Sequence, residues 1–313
     1  MNTINFDRPI LPVITGPTAS GKSALAVSLA LLAGGEVISA DSRQIYAGLP
    51  VTTAAPTPAD MRGVPHHLVG TLPLDAYYSA SCFREDAMRI VSGLFARGRQ
   101  PIICGGSMMY VDALCNGIDE MPTVPDAIRG SLARQWEEKG DDWLLGRLDA
   151  LDPDYAARVD RKNLKRVFHA VEVSLAAGAP YSSLLTGRNR RQGELPWRVR
   201  KIALRMPRDV LFGRINRRVE VMAEHGMADE VRRVAPMRSL NSLNTVGVKE
   251  MLRFIDGEWT LDEAKARLAK NTRVYAKKQL TWLQRDETVE WIDTDGSQSP
   301  DAMAEAVFEK LWR

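Results

Sequence analysis

Apolar residues in this chain fall into two patterns, short continuous runs and longer stretches at helical spacing, and their alternation predicts an α/β protein. Ile10–Thr15 is a continuous apolar run that reads as a strand, and the alanine- and leucine-rich stretch Ala24–Ala33 reads as the helix after it. Gly35–Ala40 and Gln100–Cys104 read as further strands. Past Met121-Pro122-Thr123-Val124-Pro125 the character changes: residues 126–187 show helical spacing, in Ala127–Lys139, Trp143–Leu151 and Leu164–Ala177, with few strand signals. Strand signals return at Trp197–Leu204, and Leu261–Arg285 predicts a long helix. The expected organisation is a parallel-sheet core, residues 1–120 and 200–313, interrupted by a mostly helical insertion at 121–199.

Composition narrows the class. The 313 residues, 45% hydrophobic, are enough for one large or two modest domains with a packed core. No apolar run approaches the roughly 18 residues a membrane span needs, and the N-terminal stretch lacks a signal-peptide pattern, so a cytoplasmic protein without membrane partners is expected. Cys82, Cys104 and Cys115 show no C-x-x-C spacing, which suits a reducing compartment and suggests neither zinc nor a disulfide framework. The formal charge of +3 is too small to indicate a polyanionic partner. Its distribution is more telling: Arg188–Lys201 holds six basic residues against one acid, Arg158–Arg166 is similarly biased, and Arg267, Lys270, Arg273 and Lys277 form a helical stripe that would suit a phosphate backbone.

The chemistry begins at Gly16-Pro17-Thr18-Ala19-Ser20-Gly21-Lys22-Ser23, a G-x-x-x-x-G-K-[ST] pattern between a strand and a helix. Glycines there let backbone N–H groups curl around a phosphate at the positive end of a helix, with Lys22 as a point charge and Ser23 as a Mg²⁺ ligand, so a di- or triphosphate is expected. The second strand delivers Asp41-Ser42-Arg43-Gln44-Ile45-Tyr46 at its carboxyl end, where open α/β sheets place ligands. Asp41 there suits a base, a helix cap or a Mg²⁺ partner. Gly105-Gly106-Ser107-Met108-Met109-Tyr110 is a second glycine turn facing the same crevice. No apolar run ending in Asp stands where a kinase or ATPase carries its Walker B residue, which disfavours NTP hydrolysis. His66 and His67 lack metal-ligand spacing and read as structural, and the seven tryptophans read mostly as packing residues.

These motifs, with Pro65-His66-His67-Leu68, recur in this order in tRNA dimethylallyltransferases, which the chain resembles. The resemblance continues through Asp152-Pro153, Ala156, Arg158, Lys165-Arg166 and Glu172, then Leu211–Met222, Gly226 and Glu230-Val231. It ends with Val246–Glu250 and Thr272–Trp282, covering nearly the whole chain. It implies a P-loop NTPase-like core and transfer of a dimethylallyl group from dimethylallyl diphosphate to the exocyclic amine of adenosine-37, in tRNAs reading codons that begin with U. The P-loop, Mg²⁺, Arg214 and Arg218 would hold the diphosphate and Asp41 would take the amine proton. The insertion would grip the anticodon stem-loop, with Asp41, Ser42, Arg43, Gln44, Ser107, Arg129, Lys165, Arg166 and His169 at tRNA-contacting positions. No obligate protein partner is expected. A free-adenylate isopentenyltransferase and a P-loop kinase or RNA-binding ATPase are the alternatives. The chain departs from the family pattern at Ser107 and Met108, where Thr and Gly are usual, at Ala55, where Lys is usual, and at His169, where many relatives have arginine; Met108 and Ala55 bear on the prenyl pocket and on one basic contact.

Overall fold

The computed structural model describes residues 8–119, 121–185 and 195–312, so residues 188–194 of the first basic run lie outside the described residues. The chain divides into two compact units, residues 1–115 with 193–313, and residues 116–192.

The larger unit holds a six-stranded sheet ordered β3-β2-β4-β1-β5-β6, with every pairing parallel. Its strands are β1 (Ile10–Thr15), β2 (Gly35–Ser39), β3 (His66–His67), β4 (Gln100–Cys104), β5 (Arg198–Arg205) and β6 (Val289–Asp293). The first part of the chain adds helices α1 (Lys22–Ala33), α2 (Pro58–Met61), α3 (Ala80–Ala96) and α4 (Met108–Asn116), the last running into the second unit.

Alternate residues of each strand enter opposite cores, as a period of two requires. Leu11, Val13, Ile38 and Ile103 pack on one face with Phe83, Val91 and Leu94 of α3 and with Leu114 of α4. Ile10, Ile14, Val37 and Ile102 pack on the other with Leu25 and Leu29 of α1 and with residues 304–311 near the C-terminus. Strand β5 starts one residue later than the pattern predicts. Strands β3 and β6 have no counterpart in the sequence reading: β3 is two residues long, and β6 is an edge strand joined to β5 partly by side chains, with Arg200 on Glu290 and Arg205 on Asp293.

Residues 116–192 carry α5 (Asp126–Leu151), α6 (Pro153–Ala156), α7 (Leu164–Ala177) and α8 (Tyr181–Leu184). Gly140, at φ 79°, breaks α5 where the two predicted helices are separated. Leu132, Leu144, Leu148, Val167 and Val171 form this unit's own core. Asp152 accepts hydrogen bonds from the backbone N–H groups of Tyr155 and Ser182, tying α6 to α8.

The chain then adds α9 (Arg208–Glu224), α10 (Met227–Val234), α11 (Val248–Ile255), α12 (Leu261–Leu283) and α13 (Pro300–Trp312) to the larger unit. Val219, Val231, Val248, Met251 and Leu268 bury α9–α12 against one another in a third core. Helix α12 is amphipathic: Ala264, Leu268, Ala276, Gln279 and Leu283 face inward. Among the described residues no helix is long and apolar enough to cross a membrane.

Candidate active site

Strand β1 ends at the middle of the sheet with β4 on one side and β5 on the other, which places residues 16–23 at the carboxyl ends of three strands. Gly16 takes φ 141°, and a Cβ there would lie 3.1 Å from both the Leu204 carbonyl oxygen and the Ser20 hydroxyl. Gly21 caps α1 at φ 96°, offers no side chain to its first N–H groups, and no acidic residue occupies the first turn. That helix end therefore keeps its positive field for an anion. Between the two glycines, Ala19 sits at φ 66°, a conformation that costs an L-residue about 1–2 kcal/mol. Surrounding contacts hold it: Arg214 Nε donates to the Ala19 carbonyl at 2.9 Å, and Gln279 Oε1 accepts from the Thr18 N–H at 2.9 Å.

The charges converge here as well. Lys22 Nζ donates to the Pro17 carbonyl at 3.3 Å, and burial holds its pKa below the ordinary lysine value, with Arg218 adding to the depression and Cys104 and Asp41 opposing it. Arg218 lies under the same influences: burial lowers it, and Asp41 and Asp60 push back. Its guanidinium donates to the Ala54 carbonyl at 3.3 Å. Arg218 is near enough to disfavour the charge on Lys22, and Asp41 offsets burial at both cations only in part, so a polyanion entering beside them would favour both charges.

Asp41 is fixed by the turn it starts. Its Oδ1 accepts the N–H groups of Arg43 and Gln44 at 2.9 and 3.2 Å, while Oδ2 has no hydrogen-bond partner among the described residues. The turn comes close to the second glycine turn: the Ser107 N–H donates to the Ala40 carbonyl, and a Cβ on Gly105 would stand 2.1 Å from that carbonyl oxygen. Asp41, Thr18, Ser107 and Arg218 line one cavity of about 330 Å³, whose apolar wall includes Ile215, Val219 and Met222 of α9 and Leu268 of α12. Two buried carboxylates brace its rim. Glu230 accepts the N–H groups of Val51 and Thr52, and Glu250 accepts those of Gly247 and the Asn271 side chain.

A family model described as IPP transferase matches residues 44–286. The chain belongs to this family. It is 48% identical over 284 residues to a tRNA dimethylallyltransferase of Bacteroides thetaiotaomicron, covering 91% of each chain. It is 39% identical to the tRNA dimethylallyltransferase of Cytophaga hutchinsonii, covering 92% of this chain and 94% of the relative. Among solved structures it is similar to the tRNA delta(2)-isopentenylpyrophosphate transferase of Staphylococcus epidermidis, at TM-score 0.70 and 31% identity, covering 97% of this chain and 99% of that one. A eukaryotic dimethylallyltransferase acting on tRNA, at TM-score 0.79 but 24% identity, shares the fold.

Within this IPP transferase the two residues after Ser42 turn out to be engaged inside the protein. Arg43 donates to the carbonyls of Asn241, Ser242 and Asn244, and Gln44 to those of Thr53 and Ala54, so both hold the loops that shape the cavity. Ser42 and Ser107 line the cavity directly. Met108 does not: it borders a second cleft of about 20 Å³ with Gly106 and Trp282. His67 is paired with Glu36 at 2.7 Å, and His66 with the Val64 carbonyl.

In the second unit Arg129 and His169 both bond the buried Glu172, at 2.8 and 3.0 Å, while Lys165 and Arg166 stand exposed in the first turn of α7. The basic stripe of α12 is partly gathered around aromatic rings: Arg273 and Lys277 flank Phe212, and Arg267 lies over Trp259. Tyr275 and Thr272, which belong to the Thr272–Trp282 stretch of the resemblance but have no role assigned by it, line the cavity from α12. Burial pushes the Tyr275 phenol up to about 12, helped by the charge of Asp41.

Proposed function

We propose that this IPP transferase moves a dimethylallyl group from dimethylallyl diphosphate to N6 of adenosine-37 in tRNAs that read codons beginning with U. The observation that carries the reading is the shared cavity: Thr18 of the glycine-cradled loop and Arg218 line the same space as Asp41, and Lys22, at the uncapped helix end, feels the charges of both Arg218 and Asp41. In the reaction the bond between C1 of the prenyl group and the bridging oxygen breaks while N6 bonds to C1. The diphosphate leaves with both electrons, and Asp41 takes the proton that N6 sheds. Backbone N–H groups of residues 21–23, Lys22, Arg214 and Arg218 lower the barrier by meeting charge that grows on the departing oxygen. The apolar α9 wall receives the prenyl carbons and excludes water that would otherwise capture them.

The residues also suit Mg²⁺. Ser23 is exposed at the first turn of α1, Asp41 Oδ2 is open, and this cation commonly takes only one or two protein ligands beside phosphate oxygens. Bound by Ser23 and the diphosphate, it would add charge stabilisation to the leaving group.

Arg129, Lys165, Arg166 and His169 are the proposed grip on the anticodon stem-loop, and a loop adenosine leaves its stack more cheaply than a paired one. The cytoplasmic tRNA pool is the proposed setting. The deciding experiment incubates the protein with dimethylallyl diphosphate and tRNA, or with AMP, and analyses the nucleosides by mass spectrometry. A dimethylallyl mass increment on tRNA adenosine alone supports the reading, and one on AMP alone overturns it. Donor labelled with ¹⁸O at the bridging position must leave that oxygen in the released pyrophosphate.

A further inference from the structure

We propose that Gln279 is a positioning residue that clamps the diphosphate cradle to the glycine turn carrying Ser107, and so sets donor affinity without touching the donor. The proposal rests on residues 16–23 being that cradle. Gln279 is only 2% exposed, yet both ends of its amide are used. Oε1 accepts from the Thr18 N–H at 2.9 Å, and Nε2 donates to the Gly106 carbonyl at 2.8 Å. The fit is tight: a Cβ on Gly106 would stand 2.3 Å from Nε2, so the residue preceding Ser107 must be glycine for the amide to reach its place.

Orientation is what the clamp supplies. Thr18 precedes Ala19, the one non-glycine residue of the cradle at positive φ, and its N–H is committed to Gln279 rather than to an incoming anion. Gln279 therefore acts on the anion only through the path of the loop. The same amide holds the neighbour of Ser107, and Ser107 and Thr18 line one cavity, so the donor side and the acceptor side share this bracket. No other side chain replaces it simply. Glutamate keeps the acceptor but loses the donor to Gly106, and methionine fills similar space while losing both.

The test compares the wild-type chain with Gln279→Met, Gln279→Glu and Gln279→Met combined with Ala19→Gly. Calorimetric titration with dimethylallyl diphosphate is followed by steady-state kinetics with tRNA, below the melting point of every variant. Gln279→Met should weaken donor binding about tenfold and raise donor KM in proportion, with tRNA affinity within about twofold of wild type. Gln279→Glu should lose at least as much. Ala19→Gly should restore about threefold or more in the Gln279→Met background, because glycine adopts the loop conformation without the bracket. A merely structural role would lower the melting point while leaving donor KM unchanged, or would leave the double variant as weak as the single one; either result overturns the clamp. Lys22→Ala run alongside separates the premise: if it leaves donor affinity intact, the cradle reading fails, whereas loss in Lys22→Ala without loss in Gln279→Met defeats the clamp alone.

Discussion

Replacing Asp41 by asparagine probes the mechanism with little structural damage. Asp41 holds its turn through Oδ1, which accepts two backbone N–H groups, and the asparagine carbonyl can accept the same pair. The change should therefore cost the fold no more than about 1 kcal/mol, the difference between charged and neutral acceptors. It removes the open Oδ2 that would take the N6 proton, so kcat should fall at least about a hundredfold, the lower range for a general base. A second effect follows from charge. Asp41 supports the protonated forms of Lys22 and Arg218 against burial. Lys22 already titrates below the usual lysine value, so donor affinity should decline as pH rises through its pKa, and without Asp41 that alkaline decline should begin at lower pH. Single-turnover chemistry at saturating donor, with donor titrations across pH 7 to 10, reads both effects. Turnover at the wild-type rate would remove Asp41 from proton transfer, and an alkaline limb at unchanged pH would refute the coupling to Lys22.

Pyrophosphate should raise the melting temperature, because burial of Lys22 beside Arg218 is relieved by an anion: at a hundredfold excess over Kd the stabilisation is about 2.7 kcal/mol, and a scan without any shift would contradict the cradle. For tRNA the logarithm of affinity should fall steeply and linearly with the logarithm of salt concentration, and for dimethylallyl diphosphate much less; equal slopes in filter-binding and calorimetric titrations would contradict an RNA surface. Glu172→Gln should loosen Arg129 and His169 and weaken tRNA binding about fivefold, the worth of roughly one hydrogen bond, while donor KM stays put; an unchanged tRNA affinity would place both side chains outside the interface. Gly105→Ala puts a methyl group 2.1 Å from the Ala40 carbonyl oxygen, where backbone on both sides leaves no rotamer to yield, so denaturant unfolding should show a loss of about 3 kcal/mol or more; a loss under 1 kcal/mol would contradict the close approach.

Local chemistry made part of this protein readable from one dimension. The apolar run Ile10–Thr15 and its glycines specify a strand, a turn and a helix because each depends on neighbours within a few residues. The same holds for α7, found at Leu164–Ala177 as its spacing predicts, and for the break in α5 at Gly140. Strand β3 escaped because two residues carry no period, and β6 because an edge strand is defined by the β5 it joins. The order of motifs along the chain was also enough to place it in its family.

What side chains do across the fold was decided only in three dimensions. Arg43 and Gln44 lie inside a motif, yet their hydrogen bonds go to carbonyls of loops at 241–244 and 53–54. Met108 sits beside the second glycine turn but faces a different cleft from Ser107, its neighbour. Gln279 reaches Thr18 across 261 residues of sequence, and Arg214 reaches Ala19 across 195. Periodicity tells which face of a helix is buried; it carries no information about which distant backbone atom that face will meet. Folding the sheet brings α9 and α12 over the end of β1, and that approach sets a glycine-rich loop beside a braced cavity with a carboxylate at its wall.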